Sequence, residues 1–156
     1  METNEKLIEV LNGLIEINND RVNGYEKALD EIKDMDVDLK TIFNSMVDNS
    51  RKYSIELSRT VSSLGGTPAD GTTNSGKLYR VWMDIKTTFT AHDTHSVLEL
   101  CEFGEDAAQK AYKNAIASDA EMSSDIRRLI SKQQEKLKNA HDMIRKYRDE
   151  HKEVHA

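Results

Sequence analysis

The stretch 96–116 places a carboxylate where an apolar residue is expected. Leu98, Cys101, Ala108, Tyr112 and Ile116 recur three or four residues apart, so they share one face of a helix. Glu105 falls in the same row, between Cys101 and Ala108. A carboxylate on an apolar helix face is costly to bury unless a cation, a metal ion or several hydrogen bonds compensate it. The chemistry to be explained is therefore charge compensation, and the partner must come from whatever elements pack against this face.

Three further segments carry the same helical period. Residues 4–32 place Leu7, Leu11, Leu14, Val22 or Arg21, Tyr25, Leu29 and Ile32 on one stripe, interrupted by Asn18, with Thr3 or Asn4 as cap. Residues 36–64 place Leu39, Ile42, Phe43, Met46, Leu57, Val61 and Leu64 in a row that passes through Ser50 and Tyr53. Asp36 suits its N-cap, and Gly65-Gly66 followed by Pro68 ends it. Residues 119–149 carry Met122, Ile126, Leu129 or Ile130, Leu137, Ala140 or His141, Ile144 and Tyr147, with Gln133 and His141 interrupting, and Asp119 as the expected cap. The polar end, 150–156, is expected to be a flexible tail.

Between the second and third of these helices lies the one long loop, 65–76, followed by a short amphipathic segment, 75–90. That segment carries Leu78, Val81, Trp82, Ile85 and Phe89. Short links within each pair of helices and a long link between the pairs predict an all-α, antiparallel four-helix bundle. The extra amphipathic helix sits in a crossover between helices 2 and 3, and residues 1–156 form one domain. The loop is rich in glycine but lacks a phosphate-binding GxxxxGK[ST] pattern and a preceding strand, which argues against nucleotide binding.

Composition narrows the function classes. Of 156 residues, 37% are apolar and 32% charged, with one proline and seven glycines, which suits a helical domain and leaves little punctuation for strands. The net charge of -6 argues against a nucleic-acid or anionic-membrane surface. The single cysteine, Cys101, excludes an internal disulfide and a thiolate cluster, and on an apolar face it reads as a small buried hydrophobe. A charged N-terminus and the absence of an 18-residue apolar run predict a cytoplasmic chain with no membrane span.

Put side by side, the interruptions fall near the middle of each helix: Asn18; Ser50 and Tyr53; Glu105; Lys138 and His141, with Gln133 nearby. Matching depth predicts one polar layer inside the bundle. The segments 11–25, 64–68, 76–84 and 101–112, with Leu64-Gly-Gly-Thr-Pro68 among them, resemble a bacterial four-helix-bundle family of unknown function placed in the ferritin-like superfamily. More distantly the chain resembles bacterioferritin and rubrerythrin. That resemblance implies a ferritin-like fold and aligns the family's di-metal ligand positions with Asn18, Ser50, Tyr53, Glu105, Lys138 and His141. Only Glu105 and His141 keep ligand chemistry there. Asn, Ser, Tyr and Lys do not supply the negative charge that two hard cations require.

The expected reading is a degenerate metal site in which Lys138 or His141 compensates Glu105, with Tyr53 completing a hydrogen-bonded network. No cofactor is then expected. Two alternatives stand beside it: a surface-facing Lys138 with a satisfied, lone Glu105, or a metal site for Fe or Mn rebuilt from Glu102, Glu99 or Glu56. His92 with His95 and His151 with His155 have ligand spacing on polar segments, and read as surface residues. The basic groups Arg127-Arg128 and 145–148 alternate with acids, as on a solvated face. The function expected is that of a non-catalytic bundle, a stress-related structural or interaction protein, forming a homodimer and lacking an identifiable small-molecule substrate. The alternative is a metal-binding oxidoreductase or iron-storage protein.

Overall fold

A computed structural model of the chain describes residues 2–31, 37–71 and 94–155, and every structural statement below concerns these. They form four helices: α1 Glu2–Glu31, α2 Val37–Ser63, α3 Thr94–Ala117 and α4 Ser124–His155. The expected crossover helix 75–90 with Trp82, the loop residues 72–76 and His92 lie outside the described residues.

The helix ends follow local chemistry. Gly65 takes φ 87°, and its amide donates to Ser62 at 3.0 Å while the Gly66 amide donates to Val61 at 3.0 Å. This is the Schellman arrangement, in which a left-handed residue lets two amides reach the last carbonyls of a helix. The start of α4 differs from expectation. Ser123, not Asp119, caps it: the Ser123 hydroxyl accepts from the Ile126 amide at 3.2 Å. Asp119 lies before the helix and pairs instead with Lys6 of α1. At its other end α4 continues through His155 rather than stopping near Asp149.

Packing places α1 against α2 and α3 against α4 as two close hairpins, with α1 also along α3 and a lighter contact of α2 with α4. Among the described residues the backbones of the pairs α1–α4 and α2–α3 do not approach closely, so they are the diagonals. Cross-links fix directions. Asn19 meets Ser54 and Glu26 meets Arg51; Asn18 meets Tyr112 and Arg21 meets Glu105; Gln109 meets Gln134 and Glu102 meets Arg148. Each pair runs antiparallel, so the diagonal helices α2 and α3 are parallel.

A chain joining two parallel helices must travel the length of the bundle, roughly 40 Å at 1.5 Å per residue. Its described beginning does so along α1. Gly66 sits against Ile8, Asn12 donates to the Thr67 carbonyl at 3.1 Å and accepts from the Ala69 amide at 2.8 Å, and Asn19 donates to Gly71 at 2.9 Å. The link is thus a crossover and not an up-and-down turn.

The core has two apolar parts. One contains Tyr25, Ala28, Leu39, Phe43, Val47, Leu98, Cys101 and Ile144. The other contains Leu7, Leu11, Leu14, Leu57, Val61, Tyr112, Ile130 and Leu137. Between them lie the buried polar residues Asn18, Arg21, Ser50 and Glu105, and Gln133 is buried among the residues of the second part. Among the described residues no helix is long and apolar enough to cross a membrane.

Two glycines give opposite outcomes on substitution. Gly65→Ala forces a Cβ into the left-handed region and is expected to cost about 1 kcal/mol. Gly13, within α1, has open space around its missing Cβ, so Gly13→Ala is expected to stabilise by about 0.5–1 kcal/mol. Urea unfolding midpoints of the two variants, moving down and up respectively, check both.

Candidate functional site: a buried ion pair and a directed polar chain

Asn18, Arg21 and Tyr25 are spaced three and four apart on α1, so they project from one face in consecutive turns. Opposite them, α3 presents Glu105 and, two turns later, Tyr112. The Arg21 Nε donates to Glu105 Oε1 at 2.8 Å. Both side chains are almost completely shielded from solvent, at 1% and 0% exposure, so the pair is a fully buried ion pair. The Tyr25 hydroxyl donates to the same carboxylate oxygen at 3.0 Å. The Arg21 guanidinium carbon also stands 5.7 Å from the centre of the Tyr25 ring, within cation–π reach.

The other guanidinium donors turn toward α2. Nη1 donates to Ser50 Oγ, and Nη2 points at the Met46 sulfur, 3.5 Å away. The Ser50 hydroxyl in turn donates to Asn18 Oδ1 at 3.0 Å. The Asn18 amide donates to the Leu14 carbonyl at 2.9 Å and to the Tyr112 hydroxyl at 2.8 Å. Tyr112 donates to Gln133 Oε1 on α4 at 2.7 Å, and Gln133 donates to Glu56 Oε1 at 3.2 Å. Along this path the donors point one way, from the Arg21 cation through Ser50, Asn18, Tyr112 and Gln133 to the Glu56 carboxylate. Bonds in such a chain polarise one another in the same sense.

The electrostatics follow. Burial pulls the Arg21 guanidinium down, but Glu105, with the neighbouring Tyr25 and Tyr112, more than offsets it, and the group is held more firmly protonated than usual. Burial, then the Glu105 charge, pushes both the Tyr25 phenol and the Cys101 thiol well up. Burial likewise raises Tyr112 and Tyr53. None of these groups is an activated nucleophile or base at neutral pH.

Three of the six expected positions meet here: Asn18 and Ser50 in direct contact, and Glu105 through Arg21. The other three do not. Tyr53 packs its side chain into the apolar core, and only its backbone carbonyl accepts from Gln133, at 3.5 Å. Lys138 is exposed on α4 and does not compensate Glu105. One position before it, Leu137 takes the inward place, which turns Lys138 to the surface. His141 faces Asp106, 2.5 Å away, and Asp142, and so pairs at the edge of the α3–α4 contact. The residue that does compensate Glu105 is Arg21. Its signal was legible: it lies three residues after Asn18 and four before Tyr25, in the same inward row, where Val22 was the competing choice.

The residues of the layer do not fit a pair of divalent ions. Its one central carboxylate, Glu105, already accepts from Arg21 and Tyr25 through Oε1, leaving Oε2 buried with no partner among the described residues. Asn18 and Ser50 are neutral, and Arg21 brings the charge of the layer's centre to zero. A hard divalent cation there would meet a fixed cation and a single carboxylate oxygen. Among the described residues no three of His, Cys, Asp and Glu stand close enough to hold a metal ion.

The chain belongs to the family described as Domain of unknown function (DUF2383), whose model matches residues 6–118. The matched region takes in α1, α2 and α3, and with them Asn18, Arg21, Ser50 and Glu105. No curated protein matches the chain.

Two outcomes are expected of the layer. Arg21→Ala leaves Glu105 as an uncompensated buried charge and should cost about 3–5 kcal/mol in urea unfolding. The raised phenols and thiol give an alkaline limit. Tyr25, Tyr112 and Cys101 keep their protons in the folded chain at pH values where the unfolded chain has lost them. Their contribution is fully present below the ordinary thiol and phenol range and declines as pH rises through it. The urea midpoint should fall from about pH 9 upward, and ultraviolet titration of the native protein should register fewer ionising phenols than the unfolded chain does, because burial holds the protons of Tyr25 and Tyr112.

Proposed function

We propose that the protein is a non-catalytic bundle of the ferritin-like kind, in which an internal ion pair serves where metal-dependent relatives use ions. It acts through its surface, as a structural or interaction protein. The observation that carries this reading is the Arg21 guanidinium bonded to Glu105 inside the layer, at 0% exposure for both residues. The cation needed to bury the carboxylate is part of the chain.

Two further features support it. The crossover between the parallel helices α2 and α3 is the connectivity of ferritin-like bundles, as opposed to a simple up-and-down ring. The titratable groups around the pair are pushed away from reactivity, since burial and Glu105 hold the Tyr25 phenol and the Cys101 thiol protonated. A redox or hydrolytic site needs the opposite, a group poised to exchange a proton near neutral pH.

The competing reading is a metal-binding oxidoreductase or iron-storage protein. Tag-free protein, purified without chelator, separates the two. Elemental analysis should find well under one Fe, Mn or Zn per chain, and added ferrous iron should oxidise in air at the rate of buffer alone. About two metal ions per chain, or oxygen-dependent iron oxidation that scales with protein concentration, would sink the non-catalytic reading.

A further inference from the structure

We propose that Arg21 itself, and not only the lack of carboxylates around it, closes the polar layer to divalent metal. The proposal rests on the metal-independent reading above and assigns the exclusion to one side chain. Its basis is convergence. Position 105 on α3 receives the Arg21 Nε at 2.8 Å, and position 50 on α2 receives Nη1. Position 18 on α1 is bonded to position 50 at 3.0 Å. Three helices thus direct three side chains at one small, fully buried region, and a guanidinium fills it. Above and below, the two apolar parts of the core keep water out.

A guanidinium in that place does two things. It supplies the positive charge that Glu105 requires, so no other cation is needed for folding. It also occupies the volume in which oxygen ligands from positions 18, 50 and 105 would converge. Carboxylates introduced at 18 and 50 alone would bind the planar fork, which has five N–H donors suited to carboxylates. They would not displace it. Only when the side chain is removed do three carboxylates surround a space with no resident cation. Their mutual repulsion then favours uptake of a divalent ion.

Two variants test this, with cobalt(II) as the probe because its visible absorption reports coordination. The first is Asn18→Glu with Ser50→Glu, retaining Arg21. The second adds Arg21→Ala. The first should show no cobalt absorption beyond the free ion, and its melting temperature should not change with added cobalt. The second should develop cobalt bands that saturate with stoichiometric metal, and its melting temperature should rise by several degrees when cobalt is added. Equal uptake by both variants overturns the role of Arg21. So does a triple variant that binds no cobalt, whether it is folded or remains unfolded with the ion present. The unmodified chain, titrated in parallel, keeps the two ideas apart. Stoichiometric cobalt uptake there contradicts the proposed function, whereas a silent parent with indiscriminate variants contradicts only the assignment to Arg21.

Discussion

The interior of this bundle depends on one ion pair that no water reaches. Glu105 lies on the apolar face of α3, and Arg21 on the apolar face of α1. Neither charge is tolerable there alone, and together they are tolerable only in a narrow geometry. A buried pair of this kind adds little net stability compared with well-packed apolar residues, yet losing one partner is costly. Its consequence is therefore one of arrangement. A slip of α1 against α3 by a single turn would separate the guanidinium from the carboxylate and strand both.

The surrounding structure extends that constraint to the other helices. Arg21 reaches Ser50 on α2, while Asn18 reaches Tyr112 on α3, and Tyr112 reaches Gln133 on α4. Apolar side chains alone would accept several registers of helix on helix, because Leu, Ile and Val at three- and four-residue spacing look alike after each turn. A directed chain of donors and acceptors through all four helices does not. The two hairpins, each closely packed within itself, are joined across α1 and α3 by this layer and by the apolar clusters on either side of it.

Much of this was legible in the sequence. Helical periodicity located four helices, with the ends of the first three within a few residues, because long amphipathic stripes and the Gly65-Gly66 stop have local causes; the last helix begins five residues later and ends six residues later than its stripe suggested. The existence of a polar layer, and the membership of Asn18, Ser50, Glu105 and Gln133, were legible for the same reason: an interrupted stripe needs no tertiary knowledge. The identity of the counter-charge was harder to read. On an ideal wheel, Arg21 and Val22 compete for the inward position of α1, and both prove to be buried. On α4, Lys138 and Leu137 compete likewise, and there the apolar residue takes the inward place. A long basic side chain on a stripe can turn in or out, and only the facing helix decides. The cap at Ser123 was not read either: Asp119, four residues earlier, pairs with Lys6 on the surface instead.

The central claim is that Arg21 and Glu105 act as one unit and that Arg21 is the cation of the layer. A double-mutant cycle in urea tests it most directly, using Arg21→Met, Glu105→Leu and the two together. If the pair is the constraint, each single variant is strongly destabilised, and the double variant is more stable than either, with a coupling energy of about 2–3 kcal/mol or more. Additive losses, with the double variant the least stable of the three, would contradict it.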